Sequence, residues 1–178
     1  WLFVRVRYTN EGKAPIEIRG YTSHHYSFAP EPARTEPAFW SYQSASYESR
    51  PDWVLPVPAG FTQKNFLGMN DSDYGGGTPI VDLWRRDVGI AVGHIELVPK
   101  QVSLPVQRLK NGNATLALRA ERRQTLAPGA STTTLRSFVA VHHGDHFNSL
   151  RAYSEIMQAQ EGGYTALHTP KATLDVTG

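Results

Sequence analysis

Apolar and polar positions alternate along most of this chain, in short runs closed by Gly, Pro, Asn and Asp. A period of two places every second side chain on one face of a strand, whereas a helix repeats its apolar positions every three to four residues. The first run sets Leu2, Val4, Val6 and Tyr8 on one face and Arg5 and Arg7 on the other. Turn residues at 9–12 followed by Ile16 and Ile18 predict a hairpin. The prolines at 30, 32 and 37 then deny ladder donors, which predicts a surface crossing.

Further strands are predicted in the aromatic and Ser-rich stretch 39–47, in 53–57 and in 61–67. Ile80-Val-Asp-Leu-Trp84 and the run 88–97 flank a short polar connection of hairpin length. The second of these strands puts Val88, Ile90 and Val92 on one side and Gly89, Ala91 and Gly93 on the other. A flat side of that kind predicts something packed closely over it. Strands at 102–106 and 114–121 are joined through Asn111-Gly112, a tight hairpin signal, and a last strand runs over 132–141. Roughly nine to eleven turn-punctuated strands define an all-β class, an antiparallel β-sandwich.

One segment breaks the period. Phe147, Leu150, Tyr153 and Met157 recur at helical spacing, Asp145 stands at the N-cap position and Gly162-Gly163 supplies a stop, so a helix is predicted over 146–161. The polar tail 164–178 has no packing pattern and reads as a linker. The chain also opens inside a strand pattern, without an initiator Met or a leader, as a piece of a longer protein would.

At 178 residues the chain has the length of one domain. Its Lys and Arg exceed Asp and Glu by only two charges, too weak a field to gather nucleic acid. No apolar run approaches the roughly 18 residues that cross a bilayer, so no membrane partner is expected. The absence of Cys removes disulfides and thiolate chemistry but leaves the compartment open.

The richest chemistry lies in Asn70-Asp-Ser-Asp-Tyr-Gly-Gly-Gly-Thr-Pro79. A phosphate cradle needs Gly-Lys-Ser/Thr entering a helix, and here Gly77 leads into Thr-Pro and a strand. Asp71, Asp73, Gly76 and Asp82 fall at offsets similar to an EF-hand loop, but the flanks are strands and the fifth position is Gly75. Two readings remain, a plain connector and a carbohydrate loop. In the second, Asp71 and Asp73 accept hydroxyl protons while Tyr74, Trp84 or Trp53 stacks on a pyranose face. His142-His-Gly-Asp-His146 carries metal-ligand residue types, yet it falls where a strand gives way to a helix, which offers Asp145 a capping role instead. No metal or cofactor is expected, and no acid/base pair or nucleophile elbow stands out.

Residues 70–96, with Pro99-Lys100 and Val102-Ser-Leu-Pro105, resemble bacterial α-galactosidase-like enzymes of the melibiase type, glycoside hydrolase family 36. The resemblance is to the N-terminal β-supersandwich that precedes their catalytic (β/α)₈ barrel. It implies residues 1–145 as the sandwich, 146–162 as a connector helix and 163–178 as a linker towards the barrel. That family hydrolyses galactosides with retention through two aspartates on the barrel. Neither its Lys-x-Asp motif nor an alternating βα pattern occurs here, so this chain alone is expected to be inactive. Its implied partners are the catalytic barrel, galactoside sugars and a neighbouring subunit; Asp71, Asp73, Tyr74 and Trp84 are the residues whose own chemistry suits such a sugar. The rival readings are an autonomous carbohydrate-binding module and a purely structural or interaction sandwich.

Overall fold

The computed structural model describes residues 1–31, 36–43, 53–63, 66–67, 79–86, 88–98 and 100–160. In chain order the first strands are β1 (Leu2–Val4), β2 (Arg7–Thr9), β3 (Ile16–Phe28), β4 (Trp40–Gln43), β5 (Val54–Pro56), β6 (Thr62–Gln63) and β7 (Phe66–Leu67). There follow β8 (Ile80–Arg85), β9 (Val88–His94), β10 (Val102–Ser103), β11 (Val106–Arg108), β12 (Ala114–Leu126), β13 (Ser131–Thr133), β14 (Ser137–His143) and the helix α1 (His146–Ala159). The all-β class with one C-terminal helix is what the hydrophobic period predicted.

Two sheets form the sandwich. The first has six antiparallel strands in the order β1-β14-β9-β8-β4-β5. The second runs β6-β11-β12-β10-β7, with β3 on the other edge of β12. Between them lies a core of Phe39, Val81, Leu83, Ile90 and Val92 from the first sheet side and Val102, Leu104, Val106, Leu116 and Leu118 from the second. Burial of such aliphatic side chains, each worth roughly 1.5–3 kcal/mol, is the main cohesive term.

The first sheet is covered on both faces. Its outer face packs Ile80, Trp84, Ala91, Phe138 and Ala140 against Tyr153 and Met157 of α1. Five successive residues of β8, Ile80 to Trp84, are therefore buried, which explains a strand that is apolar on both sides around Asp82. The flat side of β9 does face this layer. Its cover comes partly from neighbouring strands, since a Cβ on Gly89 would lie 2.5 Å from the His142 ring and 2.8 Å from Trp84 Cβ. On Gly93 it would lie 2.2 Å from the Pro79 carbonyl oxygen and 3.0 Å from Phe138 Cε1. Large side chains lean over the glycines, and the helix lies on top.

The described residues hold fourteen strands, more than the alternation predicts, because four predicted runs each divide in two, 61–67 and 102–106 within the second sheet and the first and last runs between sheets. The first run pairs through β1 with β14 and through β2 with β13. The last run is broken at the same level, and the corner is locked by Val6 N–H donating to Thr134 Oγ1 at 2.9 Å and Thr134 N–H donating to the Val6 carbonyl at 2.8 Å. Strands that change sheets at a shared bend are a known way of turning a sandwich corner. The hairpin predicted across residues 9–12 does not form. Buried Asn10 donates to the Ala14 and Leu126 carbonyls, both at 2.9 Å, and its Oδ1 accepts from Gly12 N–H, which turns the chain away from β2. β3 then pairs with β12 instead.

The two other predicted hairpins are present. β8 pairs with β9 around Arg86, at φ +44°, and β11 pairs with β12 around Gly112, at φ +86°. Replacing Gly93 with Val, which drives side-chain carbon into the Pro79 carbonyl and Phe138, is expected to cost about 2–4 kcal/mol. Urea unfolding followed by circular dichroism measures it.

Candidate functional site

The motif His142-His-Gly-Asp-His146 is a strand-to-helix junction. Gly144, at φ +78°, turns the chain, and a Cβ there would lie 2.4 Å from Asn148 Nδ2. Asp145 Oδ1 accepts from Phe147 N–H at 3.1 Å, so it is the N-cap that the spacing predicted. Asn148 Nδ2 reaches back to the His143 carbonyl at 2.7 Å. The three histidines go to three places. His142 turns to Asp82, His143 is exposed, and His146 stacks between Tyr42 and Trp84 with both ring centroids at 5.2 Å. Among the described residues no group of His, Asp and Glu comes together as a metal site.

The inward stripe of α1 keeps Leu150, Tyr153 and Met157 of the predicted one and departs from it at Phe147. Ser149, Tyr153 and Met157 are buried, whereas Phe147, predicted to pack, is 68% exposed. Ser149 joins the buried face, and its polarity hid it from a hydrophobic pattern. Its hydroxyl donates to Asp82 Oδ2 across the helix-sheet interface.

Asp82 is fully buried in the middle of β8. A carboxylate there needs partners, because unpaired burial costs several kcal/mol. It has them: His142 Nε2 lies 3.0 Å from Oδ1 and 2.9 Å from Oδ2, and Ser149 supplies the hydroxyl proton. His142 Nδ1 lies 3.2 Å from the His143 carbonyl. Both ring nitrogens thus face acceptors, an arrangement only the doubly protonated imidazolium satisfies. Burial alone would lower the pKa of this ring, but the hydrogen bond and charge of Asp82 outweigh it and raise the value above the ordinary 6.5.

Asp, His and Ser in one cluster invite comparison with a hydrolytic triad, and the geometry refuses it. The carboxylate is central, the hydroxyl donates to it and not to the imidazole, and no base is left to activate the oxygen. Ser149 is 1% exposed and Asp82 is 0%, so substrate reaches neither. The cluster's chemistry is attachment of α1 to the first sheet. A second tie is Tyr153, whose hydroxyl donates to the His94 carbonyl at 3.1 Å. His94 itself is kept neutral, since burial pushes its pKa down to about 4.

Of the residues singled out in the sequence as facing a sugar, Asp71, Asp73 and Tyr74 lie outside the described residues, as does the tail 164–178. Trp84 is buried in the outer-face layer, with its indole against His146. Asp82, considered in the sequence only as the last ligand of a calcium loop, is the residue spacing did not expose. The available signal was one carboxylate inside an otherwise apolar strand.

The fold is shared with enzymes that act on galactose derivatives. It matches the galactosidase domain of the α-galactosidase-sucrose kinase AgaSK at a TM-score of 0.58 and 15% identity, over 80% of this chain and 20% of that one. It matches the family 36 α-galactosidase AgaA from Geobacillus stearothermophilus, in complex with 1-deoxygalactonojirimycin, at a TM-score of 0.61 and 15% identity, over 90% of this chain and 23% of that one. In sequence it is 25% identical over 152 residues to an A type blood α-D-galactosamine galactosaminidase of Flavonifractor plautii. That match covers 82% of this chain and 13% of the relative. No family model matches the chain. The resemblance drawn from residues 70–105 therefore extends over most of the chain, and these 178 residues span a minor part of each of these proteins.

The two histidines bend the pH profile of stability in opposite directions. His142 contributes in full below about 6.5, where folded and unfolded chains are both protonated, and its contribution is lost as pH rises through its raised folded value. His94 contributes in full above about 6.5, and its contribution falls by on the order of 3 kcal/mol as pH drops towards 4. Unfolding midpoints measured from pH 4 to 9 are expected to peak near neutrality. In His142→Gln the decline on the alkaline side flattens while the acid limb stays.

Proposed function

We propose that this chain is a non-catalytic β-sandwich module of an α-galactosidase-type glycoside hydrolase, packed against the catalytic domain of its parent, with residues 70–79 over the sugar site. The observation that carries this reading is a fold shared over 80 and 90% of this chain with two α-galactosidase structures of which it spans only 20 and 23%. The galactosaminidase similarity supports the same class of substrate, an α-linked galactose derivative.

The described chemistry agrees with an accessory role. A retaining glycosidase needs two carboxyl groups roughly 5–5.5 Å apart, flanking an accessible bond. The carboxylate best held here, Asp82, is sealed under a helix. In this reading α1 is the connector, fixed to the sandwich by Asp82, Ser149 and Tyr153, so that a domain joined through it has a defined orientation. Trp84 lies in the layer beneath α1, with its indole against the His146 ring.

The isolated chain is expected to show no turnover of aryl α-galactosides or aryl α-N-acetylgalactosaminides, and turnover there would overturn the assignment of catalysis to the rest of the parent. In the parent enzyme, Asp71→Ala, Asp73→Ala and Tyr74→Ala are each expected to raise KM several-fold, as loss of one or two ligand hydrogen bonds of about 1 kcal/mol does. Steady-state kinetics unchanged in all three would reduce 70–79 to a connector.

A further inference from the structure

β3 and β12 are thirteen residues long and outrun the strands beside them. β12 pairs with β11 through Leu116 and with β10 at Arg119, but with β3 as far as Leu126. The distal halves of β3 and β12 meet the β2 and β13 ribbon instead, and the two do not close. They leave a groove of about 340 Å³ lined by residues that include Tyr8, Glu17, Tyr21, Arg122, Gln124 and Thr133. That volume lies at the lower end of small-molecule sites and suits one or two pyranose rings.

Its chemistry is that of a sugar site. Gly20, on the lining, lets β3 approach β12 closely, since a Cβ there would lie 2.5 Å from the Ala120 carbonyl oxygen. Tyr8 is 45% exposed and offers a ring face to an apolar sugar face. Thr132 Oγ1 donates to Gln124 Oε1 at 2.8 Å, which leaves the Gln124 amide hydrogens for another acceptor. Tyr21 Oη accepts from Leu135 N–H at 2.8 Å and keeps its own proton to donate. Tyr8, Arg122 and Thr133 have no side-chain hydrogen bond among the described residues. Glu17 and Arg19 form an exposed ion pair at 3.2 Å on the rim, so the lining mixes both signs and does not select a polyanion.

Another groove among the described residues, of about 210 Å³ beside Trp40, contrasts with it. There Arg85 donates to the Ala29 carbonyl at 2.6 Å and Glu36 is tied to Arg108 at 3.2 Å, so these two charged groups are already engaged.

We infer that the groove between the β3/β12 overhang and the β2/β13 ribbon binds a neutral pyranoside, through Tyr8 as platform and Tyr21, Arg122, Gln124 and Thr133 as hydrogen-bonding groups. This is a sugar site of the sandwich itself, separate from residues 70–79 and independent of any catalytic partner. Saturation-transfer NMR on the whole chain with methyl α-D-galactopyranoside, and separately with N-acetylgalactosamine, tests it. Transfer to the ring protons is expected, with a dissociation constant on the order of 1 mM, as an open site with few anchors gives. Thr133→Trp, which fills the groove, and Arg122→Gln, which leaves its shape, are each expected to weaken binding about tenfold or more, with circular dichroism spectra and melting curves as in the unsubstituted chain. If Thr133→Trp fails to fold, Arg122→Gln decides alone. Absence of transfer from the unsubstituted chain, transfer undiminished in the folded variants, or displacement of the sugar by inorganic phosphate in preference to a second sugar would overturn the proposal. None of these outcomes bears on the activity of the parent enzyme, which fails or stands by the turnover assay.

Discussion

A carboxylate in the middle of a sheet sealed on both faces dictates what surrounds it. Asp82 has no access to water, so its charge is held by His142 from the neighbouring layer of side chains and by the Ser149 hydroxyl from the helix above. Each partner brings a structural requirement. His142 needs a glycine at position 89 to lean over, and Ser149 needs α1 at one rotation and one distance from the sheet. Buried ion pairs contribute little net stability, because desolvation cancels most of the attraction. Their effect is specificity: an α1 displaced or rotated leaves the charge without its hydroxyl. The helix is placed by polar satisfaction and held by apolar contact through Tyr153 and Met157.

The same sheet explains the layering. Its inner face builds the sandwich core with β10, β11 and β12, and its outer face builds a second core with α1. Strands of a half-wet sheet alternate, while strands buried on both faces lose the alternation. β8 has lost it, whereas β12 runs buried through Ala114 to Leu118 and is then mostly exposed where it leaves its neighbours. The strand pattern therefore changes along a single element as its cover changes. That loss of cover at the far end of β3 and β12 is also what opens the groove towards β2 and β13.

Local signals carried the fold class because they act over a few residues. The Asn111-Gly112 hairpin, the Asp145 cap and the helical spacing from 147 to 157 each rest on backbone geometry that their own residues impose. The failures were equally physical. The runs 1–8 and 132–141 are continuous as patterns, yet both bend between sheets at Val6 and Thr134, because their hydrogen bonds to each other fix the corner. Asn10 looked like ordinary turn chemistry, and its contact with Leu126, far along the chain, sent β3 to β12. Phe147 fits the helical stripe yet is exposed, while Ser149, polar and outside the stripe, is buried on Asp82.

By itself the sequence determined that the chain is built of strands closed by one helix, that β9 has a bulky and a bare side, and that His142 to His146 mark a junction. These follow from period, side-chain volume and capping geometry, which short segments specify without help. Tertiary structure alone decided which surfaces meet. It put Asp82, known from sequence only as an acid among aliphatics, at the contact of two strands and a helix, and it made Trp84 the support of an imidazole. A period of two assigns a side chain to a face, but what covers that face is set by residues sixty or more positions away, as Asp82 and His142 are.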